Sequence, residues 1–331
     1  MSGHRTHDAA RFSVAPMMDW TDRHCRVFHR MLTRRTLLYT EMVTAAALVR
    51  GGAVHLLDHD AAEHPLALQL GGADPAELAR ATELAVELGY DEVNLNVGCP
   101  SDRVRSGCFG AVLMETPDLV ARCVGAMIDA AGDVPVTVKC RIGVDDQDPI
   151  QVLPDFLARM ADAGIGRIAI HARKAWLQGL SPKENREVPP LDYDLVHGMK
   201  ARFPDLHLSI NGGIATLDAA AAHLRVMDGV MVGRAAYHDP GAILLAADSR
   251  VFGVADPQPD AVAAALVMRP YLARHVAAGG RPGQVTRHML GLFAGRPGAR
   301  GWRRSLSEGA AKPGAGAEVL DRALDHVLAA A

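Results

Sequence analysis

The feature that most constrains this chain is an alternation. Eight short apolar runs recur along it, separated by stretches with helical periodicity. The runs are Phe12–Ala15, Leu37–Thr40, Leu66–Leu70, Glu92–Val97, Val136–Lys139, Arg167–His171, Leu208–Asn211 and Gly229–Gly233. The clearest helical segments between them are Pro75–Leu88, Pro117–Ala131, Pro154–Ala163, Tyr193–Phe203 and Leu217–Leu224. Asp74-Pro75 and Thr116-Pro117 read as an N-cap followed by proline at the first helical position. Near-continuous apolar character predicts parallel strands covered on both faces. Eight βα units in about 240 residues match an α/β fold of the (β/α)8, TIM-barrel type. The strand signal stops near Asp256-Pro257-Gln258-Pro259, and helical patterns follow around Ala261–Ala278, Gln284–Leu292, Arg300–Leu306 and Glu318–Ala330. The expected organisation is therefore a mobile tail over 1–10, a barrel over 11–255 and a C-terminal all-helical domain over 256–331.

Composition narrows the class. Of 331 residues, 49% are hydrophobic and 22% charged, which excludes disorder for most of the chain. No apolar run reaches the length of a membrane span, and residues 1–8 lack the apolar stretch of a secretory signal. The five cysteines, Cys25, Cys99, Cys108, Cys123 and Cys140, form no C-x-x-C pair, so a reducing cytoplasm is expected. Cys123 and Cys140 read as small buried hydrophobes. Cys25 and Cys108 take no role from the sequence. The net charge of −3 does not suggest a polyanion partner, but its distribution does. Residues 269–304 hold eight arginines and no acid; residues 255–331 carry +4 and the remainder −7. The same composition also fits a solvated arginine-rich surface.

In a barrel, chemistry gathers at the C-terminal ends of the strands. Those ends carry Pro16-Met17-Met18, Glu41, Gln69, Asn96 with Cys99, Lys139, His171, Asn211-Gly212-Gly213 and Gly233-Arg234. Glycines after strand seven and Gly-Arg after strand eight occupy the usual phosphate position of barrels, where bare backbone approaches an anion and arginine adds a charged fork. With Lys139 and Gln69 they suggest a phosphorylated cofactor across the barrel mouth, a flavin whose reduced ring a lysine would stabilise. Cys99, between Gly98 and Pro100, sits in a fixed loop with no adjoining His/Asp pattern, which weakens a hydrolase reading. About twenty residues after His171 lack periodicity; a loop that long is usually functional, and Trp176 and Leu177 predict that it packs.

The chain resembles the flavin-dependent tRNA-dihydrouridine synthases. Ala15-Pro16-Met17, Asn94-Leu95-Asn96-Val97-Gly98-Cys99-Pro100, Val138-Lys139, Ile170-His171-Ala172-Arg173, Asn211-Gly212-Gly213 and Gly229-Val230-Met231-Val232-Gly233-Arg234 are that family's motifs in its order. Tyr39-Thr40-Glu41-Met42, residues 179–186 and residues 286–293 look like its A subfamily. The resemblance implies an oxidoreductase that reduces the C5=C6 bond of a D-loop uridine, around positions 20/20a of tRNA, using NADPH through FMN. It implies FMN contacts at Pro16, Met17, Met18, Gln69, Lys139, His171, Asn211, Gly212, Gly213, Gly233 and Arg234. Cys99 would protonate C5 while the flavin's hydride attacks C6. It also implies tRNA contacts at Asn96, Lys183, Arg186, Arg300 and Arg303. A uridine must leave its stack to react, so a pocket over the flavin is expected.

Two other readings compete. A small-molecule FMN barrel of the dihydroorotate-dehydrogenase type shares the phosphate position and the lysine but leaves the basic helical segment unexplained. A non-catalytic RNA-binding barrel leaves Lys139, Cys99 and the glycine loops unexplained. His55, His59 and His64, like His4 and His7, lack carboxylate or thiolate neighbours at ligand spacing, so solvated histidines and no metal are expected. A monomer is expected.

Overall fold

The computed structural model describes residues 2–100 and 109–330, so Cys108 lies outside the described residues. Eight strands form the centre: β1 (Phe12–Val14), β2 (Leu38–Thr44), β3 (Leu66–Gly71), β4 (Glu92–Val97), β5 (Val136–Arg141), β6 (Arg167–His171), β7 (His207–Asn211) and β8 (Gly229–Val232). Their order is β1-β8-β7-β6-β5-β4-β3-β2, with parallel neighbours throughout. The ring closes between β1 and β2, where Val14 N–H donates to the Leu37 carbonyl at 3.0 Å and Leu37 N–H to that of Phe12 at 3.1 Å.

Around the ring stand α2 (Arg23–Leu32), α3 (Ala45–Val49), α4 (Pro75–Glu87), α5 (Pro117–Ala131), α6 (Pro149–Asp162), α7 (Tyr193–Arg202) and α8 (Leu217–His223). Asp74 caps α4 as expected, accepting from Glu77 N–H. Thr116 makes no side-chain cap on α5; its carbonyl instead accepts from Leu119 and Val120. Helix α6 begins five residues before the expected start, because Asp148 accepts from Ile150 N–H and Pro149 takes the first position.

The strands are not uniformly apolar. In β4 and β5 the pattern alternates, as the two-residue period requires. Val93, Leu95 and Val97 belong to the large apolar core with Leu78, Ala81, Val120 and Val124 of the covering helices. Glu92, Asn94 and Asn96 lie on the other face of β4, and Thr137, Lys139 and Arg141 share one face of β5. The barrel interior is therefore a small apolar plug, including Leu37, Tyr39, Ala67, Ala169 and Met231, beneath a polar upper layer.

In place of the expected mobile tail, Ser2–Ala9 forms α1 under the barrel's N-terminal end. Ala9 and Ala10 join that plug. The Thr6 carbonyl accepts from the buried Arg167 guanidinium at 2.7 Å. An arginine inside a barrel requires such an acceptor.

After β8 come α9 (Arg234–His238), α10 (Pro240–Ile243), α11 (Ala247–Phe252), α12 (Ala261–Ala277), α13 (Pro282–Thr286), α14 (Ala299–Arg304) and α15 (Glu318–Leu328). Fully buried Trp302 centres them: its indole N–H donates to the Met289 carbonyl at 3.0 Å, and its ring meets Phe293 edge-on at 4.8 Å. Gly301 lets α14 approach α15, since a Cβ there would lie 2.5 Å from the His326 ring. The apolar core continues from the barrel helices into this region. Polar latches add to it. His24 Nδ1 lies 2.8 Å from the Tyr271 hydroxyl, and Asp22 pairs with Arg287 at 2.5 Å and with His288 at 3.0 Å. Burial opposes the charge on Asp22, but His288, the Cys25 amide and Arg287 hold its carboxyl well below the usual range.

Candidate active site

The loop after β1 carries Pro16, Met17 and Met18 to the mouth as a tight turn. Met17 N–H donates to Thr21 Oγ1 at 2.9 Å, and Asp19 takes φ +65° while donating its N–H to Glu41 Oε1. Glu41 can reach it because β2 bulges between Tyr39 and Met42. At that bulge Thr40 Oγ1 accepts from Gln69 N–H at 3.0 Å. Trp20 stacks on Tyr237 of α9, centroids 4.6 Å apart and planes 10° apart, joining the first and last strand loops. Nothing local in the sequence marks this pair.

Buried Gln69 begins a run of amides. Its Nε2 donates to Asn94 Oδ1 at 2.9 Å, and its Oε1 accepts from Asn96 Nδ2 at 2.8 Å. Asn96 Oδ1 in turn accepts from the backbone N–H groups of Gly98 at 3.1 Å and Cys99 at 3.0 Å. The Cys99 loop is thus held by a side chain three residues before it, which explains the Asn-x-Gly-Cys spacing. Gly98 eases the close passage of the loop against β5, where a Cβ would lie 3.3 Å from the Cys140 carbonyl carbon. Cys99 is partly exposed; Cys123 and Cys140 are fully buried, as expected. Cys25 is buried against His29, 3.5 Å from its Nε2, and burial pushes its thiol well up.

Cations surround Cys99. Lys139 pairs in register with Asn96 and makes no hydrogen bond or ion pair among the described residues. Burial, then Arg141, pushes its ammonium down to about 8. Arg141, two residues on and so on the same face, was missed by the sequence reading, although the strand period points to it. It ties the Cys99 loop to the long loop after β6, donating to the carbonyls of Gly98 at 2.9 Å, Lys174 at 2.9 Å and Asn185 at 3.0 Å. His171 is neutral, because burial and then Arg141 and Lys139 hold its pKa well below 6.5.

At the ends of β7 and β8, Gly212 and Gly213 take φ of +113° and +69°. A Cβ on Gly212 would lie 2.6 Å from His171, and one on Gly213 would lie 2.6 Å from Leu191. Asn211 Nδ2 fastens β7 to the Met231 carbonyl at 2.7 Å. Gly233 precedes α9, whose first residue, Arg234, pairs with Glu187 at 2.6 Å. Arg173 Nε is buried without a hydrogen-bond partner among the described residues. An orphaned guanidinium nitrogen, an unpaired lysine and two glycines that admit no side chain fit an anionic, phosphate-bearing group.

The long loop packs, as expected. Asn185 is its buried scaffold, bonded to both backbone groups of Trp176 and to the Leu180 carbonyl. Lys183 and Arg186 flank it, both exposed, on a 3-10 turn where i and i+3 share a face. Arg300 and Arg303 are likewise exposed on α14, with Trp302 buried between them. Asn96 differs from these four: it is 7% exposed and its amide is engaged within the barrel. Folding also brings acids to the acid-free stretch, since Arg269 pairs with Asp321 and Arg287 with Asp22. Among the described residues no cluster is placed to hold a metal ion, and no helix is long and apolar enough to cross a membrane. His64 pairs with Asp91 rather than standing solvated.

The dihydrouridine synthase family model matches residues 13–328. A tRNA-dihydrouridine(20/20a) synthase of Escherichia coli strain K12 is 58% identical, covering 97% of this chain and 92% of that protein. One of Vibrio cholerae is 55% identical, covering 97% and 98%. Among solved structures, morphinone reductase aligns with TM-score 0.50 at 14% identity, covering 77% of this chain and 88% of that one. An old yellow enzyme homologue from Zymomonas mobilis aligns with TM-score 0.51 at 14% identity, covering 70% and 86%. At that identity the likeness extends to the barrel fold alone.

Proposed function

The chain belongs to the dihydrouridine synthase family, and from that membership we propose that it reduces the C5=C6 bond of a D-loop uridine at position 20 or 20a of tRNA, with FMN as cofactor and NADPH as reductant. The observation that carries the reading is the convergence on one barrel mouth of Cys99, of Lys139, which lies in register with Asn96 and has no ion-pair partner among the described residues, and of the Gly212-Gly213 and Gly233-Arg234 turns.

A flavin held at this mouth would supply the hydride for C6 of the uracil. The chain's own residues supply the rest. Gly212, Gly213, Gly233, Arg234 and Arg173, through its unpartnered Nε, would hold the phosphate. Pro16, Met17, Met18, Gln69, His171 and Asn211 line the ring's bed, with neutral His171 able to donate or accept without adding charge. Lys139 places its cation where the reduced ring gathers negative charge. Cys99 gives its proton to C5 of the uracil, and Lys139, Arg141 and Arg186 stabilise the sulfur anion left behind. Asn96 keeps that thiol in place through the loop backbone while its position beside Cys99 brings it near the base. Lys183, Arg186, Arg300 and Arg303 take RNA phosphates, consistent with recognition of folded RNA by shape and backbone. Cys25, Cys99, Cys123 and Cys140 form no disulfide among the described residues, which suits a reducing cytoplasm, and the protein acts there as a monomer.

The test is to incubate the protein, FMN and NADPH with unmodified tRNA and to map the product by fragment mass. Gain of two hydrogens in the D-loop fragment containing position 20 or 20a is expected. No gain there, or gain elsewhere only, overturns the reading.

A further inference from the structure

The amides of Gln69, Asn94 and Asn96 do not end at the site. Asn94 Nδ2 donates onward to Thr137 Oγ1 at 2.8 Å, and the Thr137 hydroxyl donates to Glu92 Oε1. Glu92 is fully buried, accepts also from the Tyr39 hydroxyl at 2.8 Å, and forms an ion pair with Arg167. Arg167 is tied below to the Thr6 carbonyl at 2.7 Å. One line of hydrogen bonds, closed by the Glu92–Arg167 ion pair, therefore runs through the barrel interior from α1 to the Cys99 loop.

The line has a direction. A carboxylate paired with arginine only accepts. Thr137 must therefore spend its one proton on Glu92, and its oxygen can only accept from above. Asn94 then presents Nδ2 downward and Oδ1 upward. Gln69 must donate to Asn94 and accept from Asn96, and Asn96 is left with Oδ1 facing the amides of Gly98 and Cys99. An amide reversed anywhere along the line would set donor against donor or acceptor against acceptor in a buried site, at the cost of an unmade bond.

We propose that Glu92 and Thr137 are positioning residues: from the base of the barrel they fix which way the Gln69 amide faces the flavin and hold Asn96 in the one orientation that anchors the Cys99 loop. The proposal rests on the flavin reading for Gln69, whereas its Cys99 arm does not depend on a cofactor. Glu92 itself is a poor test, because its loss would strand Arg167.

The variants are Thr137→Val, which keeps the shape and removes the hydroxyl, Thr137→Ala as a smaller alternative, Thr137→Ser as restoration, and Thr82→Val as a control that removes a buried threonine hydroxyl bonded to the Leu78 carbonyl of α4, off the line. Three quantities are read: FMN affinity of the apoprotein, flavin midpoint potential, and the rate at which a thiol reagent modifies Cys99 without flavin, followed by peptide mapping. Thr137→Val, or Thr137→Ala if the valine variant does not fold, is expected to weaken FMN binding several-fold, to shift the potential and to change Cys99 reactivity. Thr137→Ser should restore all three, and Thr82→Val should leave them as in the parent. Parent values in both the valine and alanine variants, or equal shifts in Thr82→Val, overturn the proposal. A parent protein that binds no FMN overturns the flavin reading instead, and the Cys99 arm still decides whether the line positions the loop.

Discussion

Cys99 and Lys139 divide the chemistry, so they should fail differently. Cys99→Ala is expected to accept electrons from NADPH at the parent rate and to lose roughly 10²–10⁴ in dihydrouridine formation, the usual cost of a positioned general acid. Stopped-flow measurement of the two half-reactions separates them; equal losses in both would remove Cys99 from the role. Lys139 makes a pH-dependent prediction. Its ammonium titrates near 8 before cofactor binds, so FMN affinity should hold at neutral pH and fall above about pH 8 as the charge is lost. Lys139→Met should bind more weakly and show no such fall, checked by quenching of flavin fluorescence across pH. Both residues stood out as candidates in the sequence because they fall at or near the C-terminal ends of strands within recognisable motifs, Cys99 just after β4 and Lys139 in the last half of β5. Arg141 and Asn185 were not: the strand period puts Arg141 on the face of Lys139 but does not show that it bonds to loop carbonyls 33 and 44 residues on, and the bonds of Asn185 to Trp176 and Leu180 lie in a stretch without periodicity.

Elements were legible where burial is apolar and illegible where it is polar. The eight runs correspond to the eight strands, with β2, β3 and β5 extending beyond the expected ends. Helix α2 went unseen because His24, Arg26, His29 and Arg30 of its sequence are buried. Arg26 pairs with Glu63, and Arg30 donates to the carbonyls of Thr33, Thr36, Glu63 and Pro65. An arginine satisfied by carbonyls looks like surface in a sequence. The basic helices carry the converse lesson, since two of the eight arginines counted there are neutralised by acids from elsewhere. Arg300 and Arg303 on α14 remain exposed, as do Lys183 and Arg186 on the loop. Arg300→Ala with Arg303→Ala is expected to weaken tRNA binding and to lower the slope of log affinity against log salt by roughly one to two. Flavin reduction by NADPH should be unchanged. An unchanged affinity and slope, measured by anisotropy across a salt series, would mean that RNA docks elsewhere.

The molecule as a whole couples barrel and helical region through α2, so its stability should depend on pH through that seam and the barrel interior. Burial lowers His24 to about 4 against the opposing charge of Asp22, and burial with the nearby charge of His288 lowers His29 to about 3. A histidine depressed in the folded state contributes its full stability above the unfolded value near 6.5 and loses it as pH falls toward the folded value. Each should cost about 2 kcal/mol by pH 5. Asp22, also depressed, adds its loss only below the usual carboxylate range. The thermal midpoint should therefore drop steadily as pH falls from about 7 to about 5; a flat profile over that window would contradict these assignments.

The central claim is that electrons pass from nicotinamide to a tRNA base through a flavin held at this barrel mouth. The most direct measurement is anaerobic: reduce the purified protein with NADPH, remove excess reductant, and follow the flavin absorption band after adding unmodified tRNA. Reoxidation of the flavin, matched mole for mole by dihydrouridine in the recovered tRNA, is the predicted result. A flavin that stays reduced in the presence of that tRNA, or that is reoxidised by a small unsaturated substrate alone, would contradict the account.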